Sequence, residues 1–324
     1  MKEEPKDGAR YAASIDIGTN TVRFLVGDIL PGGNFRQVHS GGAITRLGAG
    51  LKNSGRLSQD KINYTVSVLS EFRQEIDVYK PEFIAAVATS AAREASNGKE
   101  LAALAREKTG LDLEIINWEE EARRTLLGVF WQTQASRDAE TLIFDIGGGS
   151  TEFIISRGPE LLNLYGTNLG VVHLAEEFVR SDPLNDGDLK RLQDAIREEV
   201  EKIKSHFGPH LPEQMICTAG TPTTLVAAYL KLYPYNPERV HNFRISREKI
   251  SGTFDQLRAL PIGQRKKLPW IEEGRADLIL PGAQVILIAM DLFGFEEMIV
   301  SDYGLREGIL LHGIRQNYSQ RWNS

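Results

Sequence analysis

A chain of 324 residues, 41% hydrophobic and 25% charged, is long enough for two domains with separate cores and has an ordinary globular composition. Its net charge of −6 argues against non-specific binding to nucleic acid or to an anionic membrane surface, and its single cysteine, Cys217, excludes an internal disulfide and fits a reducing compartment. The first residues are charged where a signal peptide would be apolar, and the apolar stretch 278–295 is interrupted by Pro281, Gln284 and Asp291, so a cytoplasmic protein without a membrane span is expected.

In chain order, the first element is an apolar strand, Ala13–Ile17, that carries Asp16 and runs into Gly18-Thr19-Asn20-Thr21 before a second strand at Phe24–Val26. A Gly-rich connector, 46–51, is expected to line a binding cleft. Ser58 then reads as the N-cap of a helix with Ile62, Val66, Leu69, Phe72 and Ile76 on one face. The short apolar run 83–88 has the pattern of a buried parallel strand and leads into Thr89-Ser90-Ala91-Ala92-Arg93, which places Arg93 beyond a strand's carboxyl end, where ligands of α/β sheets bind. A helix over 99–109, a strand at 113–116 and a helix from Glu119 through Phe130 complete this half. The carboxylates of Glu119 and Glu120 read as complements to the positive end of that helix.

The second half begins near Thr141. Leu142–Phe144 leads into Asp145-Ile146-Gly147-Gly148-Gly149-Ser150 and then into the strand Phe153–Ile155. A long helix from about Asp188 carries the stripe Leu189, Leu192, Ile196, Val200 and Ile203. Met215–Thr218 is a strand whose following Gly220-Thr221 opens a helix, either an anion site or a tight packing point. Met298–Gly304 ends a strand, and 305–318 forms a closing helix. The basic run Arg265-Lys266-Lys267 reads as a solvated surface turn. Alternating strands and helices predict α/β lobes over 1–125 and 126–324, with a hinge near 125 and the final helix, about 305–324, packing back on the first lobe.

Asp145 lies 129 residues after Asp16, and the likeness holds from incoming strand through outgoing strand. That offset is far beyond a solenoid period and implies duplication of a whole lobe. Small residues leave backbone N–H groups uncovered, so each hairpin can wrap a phosphate, and two hairpins predict a cleft with a phosphate loop on each wall. Arg23, Arg46, Arg56, Arg93 and Arg123 are candidate local cations for an anionic substrate.

Asp16-Ile17-Gly18-Thr19-Asn20, 88–93 (Ala-Thr-Ser-Ala-Ala-Arg), Glu120-Glu121-Ala122-Arg123, 145–152 (Asp-Ile-Gly-Gly-Gly-Ser-Thr-Glu) and Leu305-Arg306-Glu307-Gly308 together resemble the exopolyphosphatase and guanosine pentaphosphate phosphohydrolase (Ppx/GppA) family, in the family's order and over nearly the whole chain. The resemblance implies two ribonuclease H-like lobes of the actin, hexokinase and heat-shock ATPase superfamily, facing across a cleft in which a terminal phosphoanhydride is hydrolysed. It implies Glu121 as the base that activates water, Glu152 as its assistant at the metal or water site, and Asp145 as a ligand of magnesium or another divalent cation. Asp16, Gly18, Thr19, Asn20 and Arg93 would hold phosphate from one wall, and Gly147, Gly148, Gly149 and Ser150 from the other. The substrate would be inorganic polyphosphate, guanosine pentaphosphate or both, with no nucleic acid or membrane partner, and a homodimer is the assembly common among such proteins. Where the family often has Arg, this chain has His173, read as a structural residue. Longer members carry a further C-terminal helical domain, which a chain ending at Ser324 is expected to lack. A superfamily kinase using ATP and a non-catalytic polyphosphate or alarmone sensor are the alternatives.

Overall fold

Apolar alternation and helical stripes decide where this chain folds, and the computed structural model, which describes residues 3–318, places its elements where those patterns lie. The chain forms two units, one from the segment up to Trp131 together with the segment from Gly304 onward, the other from Gln132–Tyr303. The division therefore falls after the helix Trp118–Val129 and not near 125. That helix buries Ala122, Leu126 and Val129 along one continuous face, so a boundary inside it would split a single packed stripe.

In the first unit the strands are β1 (Tyr11–Ile17), β2 (Thr21–Leu30), β3 (Asn34–Ile44), β4 (Ile84–Ala88) and β5 (Leu113–Ile115), ordered β3-β2-β1-β4-β5. The three strands β1, β2 and β3 are antiparallel, whereas β4 and β5 run parallel to β1. Alternation along β1 sends Ala13, Ile15 and Ile17 into a core with Ile62, Leu69, Phe72 and Leu101. Ala12 enters a second core, on the other face, with Leu310, Leu311 and Ile314. Ser14 and Asp16 share Ala12's face. As its sequence predicts, the helix Gln59–Asp77 buries the whole stripe from Ile62 to Ile76, and the Ser58 Oγ accepts from the Lys61 N–H.

The segment expected to close the chain is a helix over Leu305–Tyr318, and the remainder of the expected 305–324 lies outside the described residues. It packs on the helix Trp118–Val129 at backbone distance: a Cβ on Gly308 would sit 1.7 Å from the Arg124 carbonyl oxygen, and one on Gly128 would sit 1.8 Å from that of Gly304.

The second unit orders its strands β10-β11-β9-β6-β7-β8, from β6 (Glu140–Ile146), β7 (Thr151–Arg157), β8 (Glu160–Thr167), β9 (Gln214–Thr218), β10 (Phe243–Ser246) and β11 (Glu297–Val300). Its β8-β7-β6 meander followed by parallel β9 and β11 repeats the β3-β2-β1, β4, β5 arrangement strand for strand, with β10 added antiparallel at the edge. Topology thus carries the duplication that the hairpins announce in sequence. The stretch rich in apolar residues near 278–295 is the core helix Ile279–Phe293, buried along nearly its full length, and no helix among the described residues is long and apolar enough to cross a membrane.

One sequence expectation is corrected here. Lys266 and Lys267 are exposed, but Arg265 is only 3% exposed, ending the short helix Ile262–Arg265 with its Nη1 3.5 Å from the Leu257 carbonyl oxygen and its Nη2 3.8 Å from Asp182. Burial pulls its pKa below the ordinary guanidinium value, and the negative charges of Asp182 and Asp277 oppose that pull. Both carboxylates lie outside the basic run itself, and the run's composition gives no sign of them.

Candidate active site

Both hairpins close with the same bond. The Gly18 N–H donates to the Thr21 carbonyl at 2.9 Å, and the Gly147 N–H donates to that of Ser150 at 2.9 Å, positions related by the 129-residue offset. In each hairpin a following segment takes the loop carbonyls from behind. Thr45 and Arg46 N–H groups donate to Asn20 O (3.0 and 2.9 Å) and Gly48 N–H to Thr19 O (2.9 Å), while Val171 and Val172 N–H groups donate to Gly147 O and Gly148 O (3.1 and 2.8 Å). A trans peptide points its C=O and its N–H in opposite directions, so pinning these carbonyls turns the Asn20, Gly148 and Gly149 N–H groups the other way.

Glycine makes this backing possible. A Cβ on Gly48 would lie 2.3 Å from the Thr19 Cγ2, and one on Gly170 would lie 2.0 Å from the Gly149 carbonyl carbon. The connector 46–51, expected to line a binding surface, is thus packed on the first hairpin. Within that hairpin Thr19 and Asn20 are buried, with no hydrogen-bond partner for the Thr19 Oγ1 or the Asn20 Oδ1. Buried polar atoms without partners are rare and call for a ligand or water. The Ser150 Oγ, in contrast, donates to the Glu152 Oε1 at 2.9 Å.

The two copies differ in charge. Across the antiparallel ladder Asp16 is registered with Arg23, whereas Asp145 is registered with Glu152. Directly opposed residues project from the same face, so the first hairpin sets opposite charges side by side and the second sets like charges, which is unfavourable without a cation or a shared proton. Oxygen donors of this kind fit magnesium, which needs only one or two carboxylates beside phosphate oxygens and water. Among the described residues no group of three His, Cys, Asp or Glu side chains forms a cage for a metal such as zinc. Cys217 is fully buried, and its thiol is pushed well above its ordinary range by burial and then by the charge of Asp145, which excludes it as a nucleophile near neutral pH.

In the first unit the helix Trp118–Val129 resolves the acidic cluster. Its N-cap, Asn117, accepts from the Glu120 N–H at 2.9 Å. Glu119 pairs with Arg123 at 2.7 Å and Glu120 with Arg124 at 3.3 Å, both one turn along the helix, whereas Glu121 is 5% exposed. Glu121 accepts a 2.6 Å bond from the Arg93 Nη1, which also donates to the Ile116 carbonyl at 3.1 Å. The Arg93 Nε and Nη2 are buried and have no hydrogen-bond partner, and the guanidinium carbon lies 4.1 Å from the centre of the Trp118 ring. Arg93 sits in the short helix Ser90–Glu94 that follows β4, as the strand-end reading of the sequence predicts. Of the other candidate cations, Arg56 and Arg123 are spent in exposed pairs with Glu100 and Glu119.

Three further features bear on the sequence reading. His173 is 5% exposed near the start of the helix Val171–Phe178, and its Nε2 has no hydrogen-bond partner. At the end of β9, Ala219 has φ 75° and ψ −166°, a region nearly confined to glycine, and the Arg275 guanidinium lies over the next residue, its Nη1 1.4 Å from where a Cβ on Gly220 would stand. In the 305–308 motif, Glu307 caps the last helix by accepting from the Gly304 N–H at 2.9 Å, and the Ser14 Oγ donates to the Arg306 carbonyl at 2.8 Å, fastening that helix to β1 two residues before Asp16.

Sequence reasoning missed Trp118, whose signal was an aromatic ring three residues before Glu121, a spacing that puts both on one face of a helix.

Comparison with known proteins places the chain among relatives along nearly its whole length. The chain is 30% identical over 311 residues to exopolyphosphatase 2 of Mycobacterium tuberculosis, covering 92% of this chain and 97% of that one. Its fold matches a crystal structure of the Aquifex aeolicus Ppx/GppA family member with a TM-score of 0.81 at 34% identity, covering 95% of this chain and 99% of the other. A crystal structure of an exopolyphosphatase from Cytophaga hutchinsonii matches with a TM-score of 0.88 at 26% identity, over 95% and 98% of the two chains. Residues 25–316 match the Ppx/GppA phosphatase family, and the chain belongs to it.

Proposed function

We propose that this enzyme releases terminal orthophosphate from inorganic polyphosphate, from guanosine pentaphosphate or from both, with Glu121 as the base that takes a proton from the attacking water. Membership of the family makes the chain a phosphoanhydride hydrolase, and relatives named exopolyphosphatases support polyphosphate as the substrate class. One observation carries the assignment of the base. Of three consecutive carboxylates only Glu121 is buried, and the guanidinium that holds it, Arg93, keeps two donor nitrogens that no protein group satisfies. Each buried unsatisfied donor costs about 1–3 kcal/mol, an expense that an anionic phosphate oxygen would remove.

In the reaction the water oxygen bonds to the terminal phosphorus and its proton passes to the Glu121 carboxylate. The P–O bond to the penultimate phosphate breaks, and the leaving oxygen keeps the electron pair as part of a shortened anionic chain. Such chemistry asks mainly for neutralised oxygens and a well-placed water. Arg93, the Asn20 N–H and the side chains of Thr19 and Asn20 bind phosphate oxygens in the first unit, on a turn closed by the Gly18 N–H and with Asp16 positioning there. The N–H groups of Gly148 and Gly149 do so in the second, on a turn that the Gly147 N–H closes and beside a Ser150 hydroxyl that donates to Glu152. Asp145, assisted by Glu152, would hold a divalent cation, which when bound neutralises charge on phosphate oxygens.

The test is orthophosphate release from medium-chain polyphosphate and guanosine pentaphosphate side by side, with and without magnesium, for the wild type and Glu121→Gln. Release that requires the cation is expected from at least one substrate, with turnover lowered by about 10²-fold or more in the variant and folding retained. Undiminished release by Glu121→Gln removes that residue from the mechanism. Label transfer from ATP to a sugar without release points to a kinase, and tight binding without turnover points to a sensor.

A further inference from the structure

Resting on the reading of Arg93 as a phosphate contact, we propose that Trp118 is a positioning residue that fixes the plane of the Arg93 guanidinium, so that one edge grips Glu121 and the other is presented to the anionic substrate.

A guanidinium is flat and offers donors along its edges and a weakly hydrated face. Here Nη1 is committed to the Glu121 carboxylate at 2.6 Å and to the Ile116 carbonyl at 3.1 Å. Those bonds anchor one end of the group but leave it free to roll about the axis through Nη1. The indole of Trp118 removes that freedom, because its ring centre lies 4.1 Å from the guanidinium carbon, well inside cation–π range. With the face covered and one end anchored, Nε and Nη2 are held in a fixed direction, and both are buried without a hydrogen-bond partner. The helix supplies both constraints from a single turn. Trp118 is its first residue, held in place by the Asn117 cap, and Glu121 follows three positions later on the same face. The ring therefore acts on substrate only through Arg93, and the pair of contacts couples the anion-binding edge to the proposed base.

The test compares Trp118→Phe, which keeps an aromatic face, with Trp118→Leu, which keeps only bulk, alone and in the Arg93→Ala background. Binding of inorganic tripolyphosphate is measured by calorimetry, kcat and KM by orthophosphate release, and folding by thermal midpoint. Trp118→Leu is expected to weaken tripolyphosphate binding and raise KM by about three- to thirtyfold with its midpoint near that of the wild type, while Trp118→Phe stays within about threefold. In the Arg93→Ala background Trp118→Leu is expected to cost nothing further, the signature of a residue that works through its partner. The proposal is overturned if Trp118→Leu binds as the wild type does, if Trp118→Phe is as impaired as Trp118→Leu, or if the loss persists undiminished without Arg93. Wild type that binds tripolyphosphate without turnover would defeat the hydrolytic reading and leave this proposal to stand or fall on the binding series. Wild type that binds none would defeat both.

Discussion

Glu121 differs from Glu119 and Glu120 in direction, not in chemistry. On a helix the three point about 100° apart, so two reach solvent and the arginines one turn on, and the third turns to Arg93. Sequence spacing made an acidic helix start legible, and the likeness to a family singled out the carboxylate that proves to be the buried one. The partner, Arg93, comes from another strand end, and no local pattern predicts that it is shared between Glu121, the Ile116 carbonyl and an indole face. Arg93→Lys tests this sharing. An ammonium is a point charge without a fork and cannot hold Glu121 while offering a second edge, so kcat/KM is expected to fall about ten- to hundredfold, the loss of one charged hydrogen bond at about 1.5–3 kcal/mol. Steady-state kinetics that match the wild type would refute the role given to the fork.

Among the elements, the Ser58-capped amphipathic helix and both Asp-Ile-Gly hairpins were legible because each announces itself within one window, and the closing helix 305–318 also lies where the sequence puts it. The helix at Val171–Phe178 was not recognised, because its 8 residues are a short window for a helical pattern and its start docks on the carbonyls of Gly147 and Gly148, about two dozen residues back. Arg265 escaped for a similar reason, since its buried contacts, the Leu257 carbonyl and Asp182, lie outside the basic run. The packing of the helices 118–129 and 305–318 gives a prediction at this scale. Gly308→Ala would gain about 1 kcal/mol of helix propensity, yet its methyl would press on the Arg124 carbonyl, a backbone atom that cannot swing aside. Overpacking of about 1–3 kcal/mol should win, and a lowered chemical-denaturation midpoint would register it; an unchanged or raised midpoint would mean that the helices separate at no cost.

For the molecule as a whole, the acid side of stability should be set in part where the last helix meets the helix 118–129. Burial, reinforced by Arg124, holds His312 below its ordinary pKa of 6.5, and the hydrogen bond from Arg124 holds Glu114 below 4.5. Both shifts favour the deprotonated form in the fold, so the unfolded chain takes up these protons more readily. The contribution of His312 is present above pH 6.5 and is lost as pH falls through its folded value, and that of Glu114 is present above 4.5 and lost likewise. A His312→Gln variant should therefore show a shallower decline of thermal midpoint just below pH 6.5, with the steeper decline below 4.5 retained; an identical profile would show that His312 takes no part.

The doubled architecture was readable from two short motifs because both hairpins keep the same Asp-Ile-Gly residues in the same register, while the added edge strand β10 has no counterpart in the other copy. What the copies did not preserve is the residue facing their shared aspartate. With arginine there in the first half and glutamate in the second, one backbone turn carries balanced charge in one copy and doubled negative charge in the other, and only the second gains from a bound cation or a shared proton. Exchanging those two side chains between halves is expected to exchange the local charge of the two turns while leaving every strand where it is.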